Sequence, residues 1–527
     1  MVKKAPRKSP LLRQLARRNP DQLWALLVAA GSAPGARHRW ATVGHLTYAV
    51  LSAGDRGTRP STVAQLEGLL AACTADDPRL YTLEDFVPSD PRDEVLTRLG
   101  DEIVRLFPGS VERPVADVDR ALLVADAVDD VLVSLVGFGV RHLLEVALGY
   151  ADLAIGVLAP HWPTLELPVR GPVMVTDAEY SAAAALVERG TPTDIALSPE
   201  GRRALEWMTC NTVDLPYEPG HPQSSFGRFL RVRRGGAEGM ERWMPLAFLP
   251  EILGYAVTQL AAKATVADGV DRHFTQLVAA QVRRALWNFA TNIIGPDDEA
   301  DGPAVSSQNT VQWVAMLGPG RALLVQVIAR VGSAGLSDSD LPAALAVTQA
   351  AAADPAAPLS VPMAGKVLTL DPRIEVVPVL VVASAAHLVA PQRNGLLGMS
   401  LEDLRWIASS RAAQSDLFLF CREMTRPDRP RPFMWETIDL WEWWRANGKS
   451  FFTGGQPPTA VFIEAHGGAA EWERAAERAP LERALATVGL PPLRETDGVD
   501  HASSGPPVVY KWQEAPWSAG AERTARQ

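Results

Sequence analysis

Three runs of β-branched and aliphatic residues in the second half of the chain constrain its fold most. Residues 310–316 and 322–331 have strand character and are separated by Leu317-Gly318-Pro319-Gly320-Arg321, with turn residues placed where a hairpin needs them. The third run, 376–383 (VVPVLVVA), is apolar without alternation, the pattern of a strand covered on both faces. Buried strands need layers on each side, and the rest of the chain supplies helices for them. Apolar residues recur at three-and-four spacing over 21–30, 62–72, 121–135, 143–158, 250–266 and 271–290. The expected fold is therefore α+β and helix-rich: a helical N-terminal domain, then a C-terminal α/β domain with a short mixed sheet.

Two helices carry enough detail to predict their buried sides. In 121–135 the stripe is Leu122, Val124, Val128, Val131, Leu132 and Leu135, with Asp126, Asp129 and Asp130 mainly outside it; Gly137 and Gly139 then break the helix. In 271–290 the stripe is Phe274, Leu277, Val278, Gln281, Ala285, Leu286 and Phe289. Ser400 and Asp403 form a capping box opening a helix at Leu401. Helices are also expected over 177–189, 198–209, 338–352, 416–426 and 472–488, and a last strand over 459–464. At 527 residues the chain exceeds the length at which one core keeps growing. The expected division is a helical domain over 1–164, a mixed connecting region over 165–248, an α/β core over 249–426, a Trp-rich segment over 427–493 and a disordered tail over 494–527.

Composition excludes several classes. Hydrophobic residues make up 47% and charged residues 21%, too apolar for a disordered chain. The most apolar stretch, 131–160, is interrupted by Arg141, His142, Glu145 and Asp152, so no membrane span is expected. Cys73, Cys210 and Cys421 lie far apart, which fits a reducing cytoplasm without structural disulfides. Arginine outnumbers lysine and alanine is abundant, as in GC-rich bacterial genomes. The formal charge of −10 argues against a general coat for nucleic acid. One basic patch stands out locally, Lys3, Lys4, Arg7, Lys8, Arg13, Arg17 and Arg18, all before the first acid, Asp21.

Catalytic motifs are missing at the sequence level. Gly318-Pro319-Gly320 lacks the third glycine of a dinucleotide fingerprint. Gly448-Lys449-Ser450 has Trp443 where a phosphate-binding loop needs its first glycine. There is no Gly-x-Ser-x-Gly elbow, no HExxH and no CxxC. The carboxylates Asp126, Asp129 and Asp130 are within reach of one another on a helix, and His142 and Glu145 share a helix face; a solvated acidic face and a structural hydrogen bond account for them without a metal. No cofactor, metal or catalytic residue is assigned. The aromatic segment 433–445 (FMWETIDLWEWWR) is the most unusual feature. It gives Trp435, Trp441, Trp443 and Trp444, with Lys449 nearby, as candidate partner-binding residues; packing of the segment onto its neighbour is the competing account.

The order helix, strand pair, helix, buried strand over 271–383 resembles the core of the restriction-endonuclease-like PD-(D/E)XK superfamily, including its nuclease-related branch. The resemblance implies carboxylates holding Mg²⁺ against a scissile phosphate and a lysine that helps activate water. It places Gln326 at the second acid, Ile328 at the lysine, Asn309 or Gln312 at the first acid and Thr275 at the helical glutamate. Every catalytic position is thus replaced. The expected role is a non-catalytic binding or scaffold protein with a degenerate nuclease-like core and a protein partner. The alternatives are a metal-dependent hydrolase using Asp297, Asp298, Glu299 and Asp301, and a nucleic-acid-binding protein acting through the basic N-terminal arm.

Overall fold

The computed structural model describes residues 10–32, 40–53, 57–76, 114–161, 175–189, 195–211, 228–233, 241–295, 298–299, 302–303, 310–332, 359–363, 366–385, 396–409, 414–426, 437–446 and 449–450. The fold is helix-rich α+β. Helices come first: α1 (Pro10–Leu15), α2 (Pro20–Ser32), α3 (Trp40–Ala53), α4 (Leu66–Asp76), α5 (Pro114–Val136), α6 (Val140–Leu158), α7 (Asp177–Arg189) and α8 (Pro199–Trp207). Their starts are set by local chemistry. Asn19 Oδ1 accepts from the amides of Asp21 (3.0 Å) and Gln22 (3.1 Å) at α2, and Ser198 Oγ accepts from Gly201 N (2.9 Å) at α8. Each replaces a water partner for an otherwise unpaired first-turn amide, and a proline holds the first helical position of both.

A small sheet follows, with β1 (Thr209–Asn211) parallel to β2 (Arg231–Arg233) and β2 antiparallel to β3 (Glu241–Trp243). It pins the helices together. The Trp24 indole donates to the Trp243 carbonyl (3.0 Å) and the Tyr150 hydroxyl to the Met244 carbonyl, while the Tyr150 and Trp243 rings stack at 4.7 Å. Arg231 is buried here, with Glu241 at 2.6 Å and Thr209 Oγ1 at 3.0 Å. Burial lowers its pKa and the two glutamates Glu241 and Glu206 oppose that.

Next come α9 (Leu249–Ala264) and α10 (Val270–Leu286), then β4 (Asn292–Ile294), β5 (Asp298–Glu299), β6 (Gly302–Pro303), β7 (Thr310–Met316), β8 (Arg321–Arg330), β9 (Leu359–Met363), β10 (Lys366–Leu370), β11 (Glu375–Ser384) and β12 (Leu397–Ser400). The last helices are α11 (Leu401–Ser409), α12 (Gln414–Met424) and α13 (Thr437–Ala446). The main sheet has the order β12-β11-β8-β7-β4. Strands β4, β7 and β8 form an antiparallel meander, and β8, β11 and β12 run parallel. The turn between β7 and β8 has Gly318 and Gly320 at positive φ, as its residues predict.

The pleat assigns β7, β8 and β11 to two faces. Trp313, Val325, Val327, Ala329, Val379 and Val381 point into the principal core, against α10, α11 and α12. Val314, Ala322 and Leu324 point the other way, into a second cluster with Val361 and Leu370 of the β9–β10 hairpin. The principal core is one buried apolar cluster from Leu11 to Trp444. Ion pairs Arg405–Asp119 (3.4 Å) and Arg120–Glu402 (3.7 Å) cross from α11 to α5.

Most predicted helices and all three long strand runs lie where their periodicity places them. Helix α3 lies within the expected helical domain but was not delimited there, because residues 43–51 are buried all round and show no polar–apolar contrast. Strands β1 to β6, β9, β10 and β12 also went unpredicted, being short pieces without a distinctive pattern. In α5, Val124, Val128 and Leu132 are fully buried as expected, but Leu135 is 54% exposed, because the packed stripe continues from Leu132 to Val136 and leaves Leu135 beside it. The expected elements at 338–352, 459–464 and 472–488 and the tail 494–527 lie outside the described residues.

Candidate functional site

Residues aligned with nuclease chemistry sit on the second and third strands of the meander. Register puts Gln326 of β8 opposite Gln312 of β7 and beside Leu380 of β11. Gln326 is 4% exposed, and its Oε1 has no hydrogen-bond partner among the described residues. Ile328 lies between Thr310 and Val382 and is 3% exposed. Thr275 is on the opposite side of the sheet: it is buried on α10, where its hydroxyl lies 3.0 Å from the Ala329 carbonyl and 2.8 Å from the Asp271 carbonyl. Asp271 Oδ1 in turn accepts from Val331 N (2.9 Å). These bonds lace the start of α10 to the end of β8, a structural duty. The sheet therefore brings Gln312 and Gln326 together and leaves Thr275 apart from them. Asn309, Asp297 and Asp301 lie outside the described residues; Asp298 and Glu299 form β5, paired with β6 next to α10.

Two acids of the N-terminal half, Asp129 and Glu145, serve helix starts, and Asp130 is exposed. Asp129, expected on an outward face, is 8% exposed and reaches the start of α6, where it accepts from Val140 N (2.6 Å) and Arg141 N (3.2 Å). Gly139 makes room for it, since a Cβ there would lie 2.5 Å from the Asp129 carboxyl carbon. Asp126 pairs with the Arg141 side chain. Glu145 accepts from Ser198 N (2.5 Å) and Ser198 Oγ (2.7 Å) ahead of α8, whereas His142 Nδ1 accepts from Gly139 N (2.9 Å), so this pair divides between two helix starts. Among the described residues no group of three His, Cys, Asp or Glu side chains is arranged to hold a metal ion.

Burial raises the Asp129 carboxyl above the usual carboxylate range, against the lowering pull of the two amides and the Arg141 charge. A raised carboxyl pKa means the folded state binds the proton more tightly, so stability falls as pH rises from the ordinary value of about 3.9 through the folded pKa. Asp129→Asn is expected to remove that decline from urea-denaturation midpoints measured against pH. An unchanged pH profile would contradict it.

Of the aromatic residues, Trp441 and Trp444 on α13 are completely buried, 5.6 Å apart and stacked, with the Phe420 ring edge-on at 5.1 Å and 5.7 Å. Trp444 Nε1 donates to Glu423 Oε2 (3.2 Å). These two rings fasten α13 to α11 and α12 and offer no face to a partner. Trp443 is on the same helix, and Trp435 lies outside the described residues. Lys449 adopts φ 63°, donates its amide to the Trp444 carbonyl (2.8 Å) and places its ammonium 2.8 Å from Asp416, which closes the helix end. Cys73, Cys210 and Cys421 are buried and form no disulfide, and burial pushes the Cys421 thiol pKa up.

Of the basic patch, Lys3, Lys4, Arg7 and Lys8 lie outside the described residues. Arg13, Arg17 and Arg18 line a cleft of about 620 Å³ together with Arg59. Sequence reading missed Arg59, since it lies more than forty positions away and only the paired backbones bring it in. No described helix is long and apolar enough to cross a membrane. Set beside known proteins, the chain matches no family model, no curated protein and no solved structure.

Proposed function

We propose that the protein is a non-catalytic binding or scaffold protein built on a core whose element order resembles that of nuclease-related proteins. Support for the resemblance comes from a helix followed by a three-strand antiparallel meander and then parallel strands. The observation that carries the non-catalytic reading is the side-chain content of β8. One face presents Gln326 and Ile328; a register shifted by one presents Val325 and Val327 on the other, and all four are buried. A neutral amide ligates Mg²⁺ weakly and an alkyl group activates no water, so neither register can run metal-assisted phosphodiester cleavage. Burial of Trp441 and Trp444 leaves those two rings no part in partner binding.

The second reading is a hydrolase with a site of different origin, favoured by the acidic β5–β6 hairpin beside α10. The test is turnover of labelled DNA and RNA in Mn²⁺ or Mg²⁺ against chelator, comparing the natural chain with a variant carrying alanine at Asp297, Asp298, Glu299 and Asp301. The expected result is no metal-dependent product from either. Product formed by the natural chain and lost in the variant would establish the second reading.

A further inference from the structure

We propose that the cleft between α1 and the loop preceding α4 is a binding site for the phosphodiester backbone of a nucleic acid. The site is assembled by the backbone. Arg59 N donates to the Arg17 carbonyl (2.9 Å) and Asn19 N to the Arg59 carbonyl (2.7 Å), so Arg18 and Arg59 pair as a short parallel bridge. Gly57 lets the loop lie this close, because a Cβ there would collide with the Arg18 backbone. Arg18 is held at the back of the cleft by Pro60 O (3.4 Å) and Gln65 Oε1, and its Nε is buried without a partner. Arg13, Arg17 and Arg59 are exposed at its rim.

Among the described residues, four guanidinium groups and no carboxylate line the cleft, in a chain of net charge −10. Together they give the cleft a positive potential that attracts a multiply charged anion. The C-terminal end of α1 favours a cation by its dipole, but that accounts for Arg13 and Arg17 only, since Arg59 is on another segment. The planar fork of arginine matches phosphate oxygens bidentately. A cleft of about 620 Å³ is larger than one phosphate needs. Its described lining residues are arginine, glutamine and proline without an aromatic ring, so the contacts are to phosphates and independent of sequence. An anionic membrane fits less well: Leu11, Leu12 and Leu15, the apolar side of α1, are buried in the core and cannot enter a bilayer.

This inference is independent of the non-catalytic reading, and its test keeps the two apart by measuring binding in chelator. Fluorescence anisotropy of the full chain with labelled single-stranded RNA and DNA of mixed sequence is expected to give affinities of roughly 10⁻⁶–10⁻⁴ M at physiological salt. The triple variant Arg13→Gln, Arg17→Gln, Arg59→Gln should bind at least about tenfold more weakly. Its slope of log affinity against log salt should be smaller by about two, at roughly 0.7 per lost single-strand contact. Arg59→Gln alone should move the slope by about a third as much. All three arginines are exposed, so urea midpoints should not change. Unchanged affinity and slope in the triple variant would overturn the proposal. So would complete displacement of the strand by millimolar inorganic phosphate, which would mark a site for a small anion. Binding to phosphatidylserine vesicles with none to either nucleic acid would overturn it too.

Discussion

Ile328→Lys is expected to destabilise the protein by about 4–5 kcal/mol at pH 7, and by progressively less as pH rises. Ile328 is buried at the centre of the sheet, between Thr310 and Val382, at the position that the nuclease resemblance gives to the lysine. A lysine enclosed among apolar groups has its pKa lowered to about 5–6, against about 10.4 in the unfolded chain. At pH 7 it is neutral when folded and charged when unfolded, a gap of roughly 3.4 pH units at about 1.36 kcal/mol each. The unfolded state binds the extra proton throughout this window, so the variant gains stability as pH rises towards 10. Guanidinium denaturation at pH 7, 8.5 and 10 reads both effects. A variant within about 1 kcal/mol of the natural chain at pH 7, with no pH dependence, would mean that this position opens to solvent. The sheet would then be a site lacking only its side chains, and its loss of chemistry would be superficial.

Trp441→Ala should cost about 3–5 kcal/mol, the range for removing a large buried aromatic side chain. The ring has no exposed surface and lies in contact distance of Trp444 and Phe420, so alanine leaves a cavity that α11, α12 and α13 cannot all close. Trp444→Ala should cost a similar amount, and the double variant less than the sum, because each single change already breaks the shared stack. Thermal or chemical denaturation decides between packing and partner binding. If these rings were a docking platform, either substitution would leave stability within about 0.5 kcal/mol and act on capture alone.

The fold was legible where contrast was strong. Val376 to Ala383 has no polar interruption, so a doubly covered strand was the economical reading, and the Gly-Pro-Gly turn set the hairpin between β7 and β8. Ser400 and Asp403 satisfy each other's amides at 3.2 Å and 3.0 Å, as their spacing foretells. The reading failed where a residue's partner is distant in sequence. Asp129 looked like one of three outward acids, yet it turns inwards because the chain reverses at Gly137 and brings the first amides of α6 back to it. For Trp441 and Trp444 the sequence left partner binding and packing as alternatives; α11 and α12 decide for packing, since both rings are buried against them. Arg59 joins the arginines of α1 only through the backbone bridge to Arg18, for which no local pattern exists.

The most direct measurement is a single-turnover incubation, with protein in excess over labelled DNA and RNA, in Mg²⁺, in Mn²⁺ and in chelator, resolved on one gel for both mobility and length. A non-catalytic binding protein shifts the strands without shortening them, equally in metal and chelator, and the shift weakens with salt. Shortened products that appear with metal and vanish with chelator would contradict the account and return attention to Asp298, Glu299 and the hairpin they form.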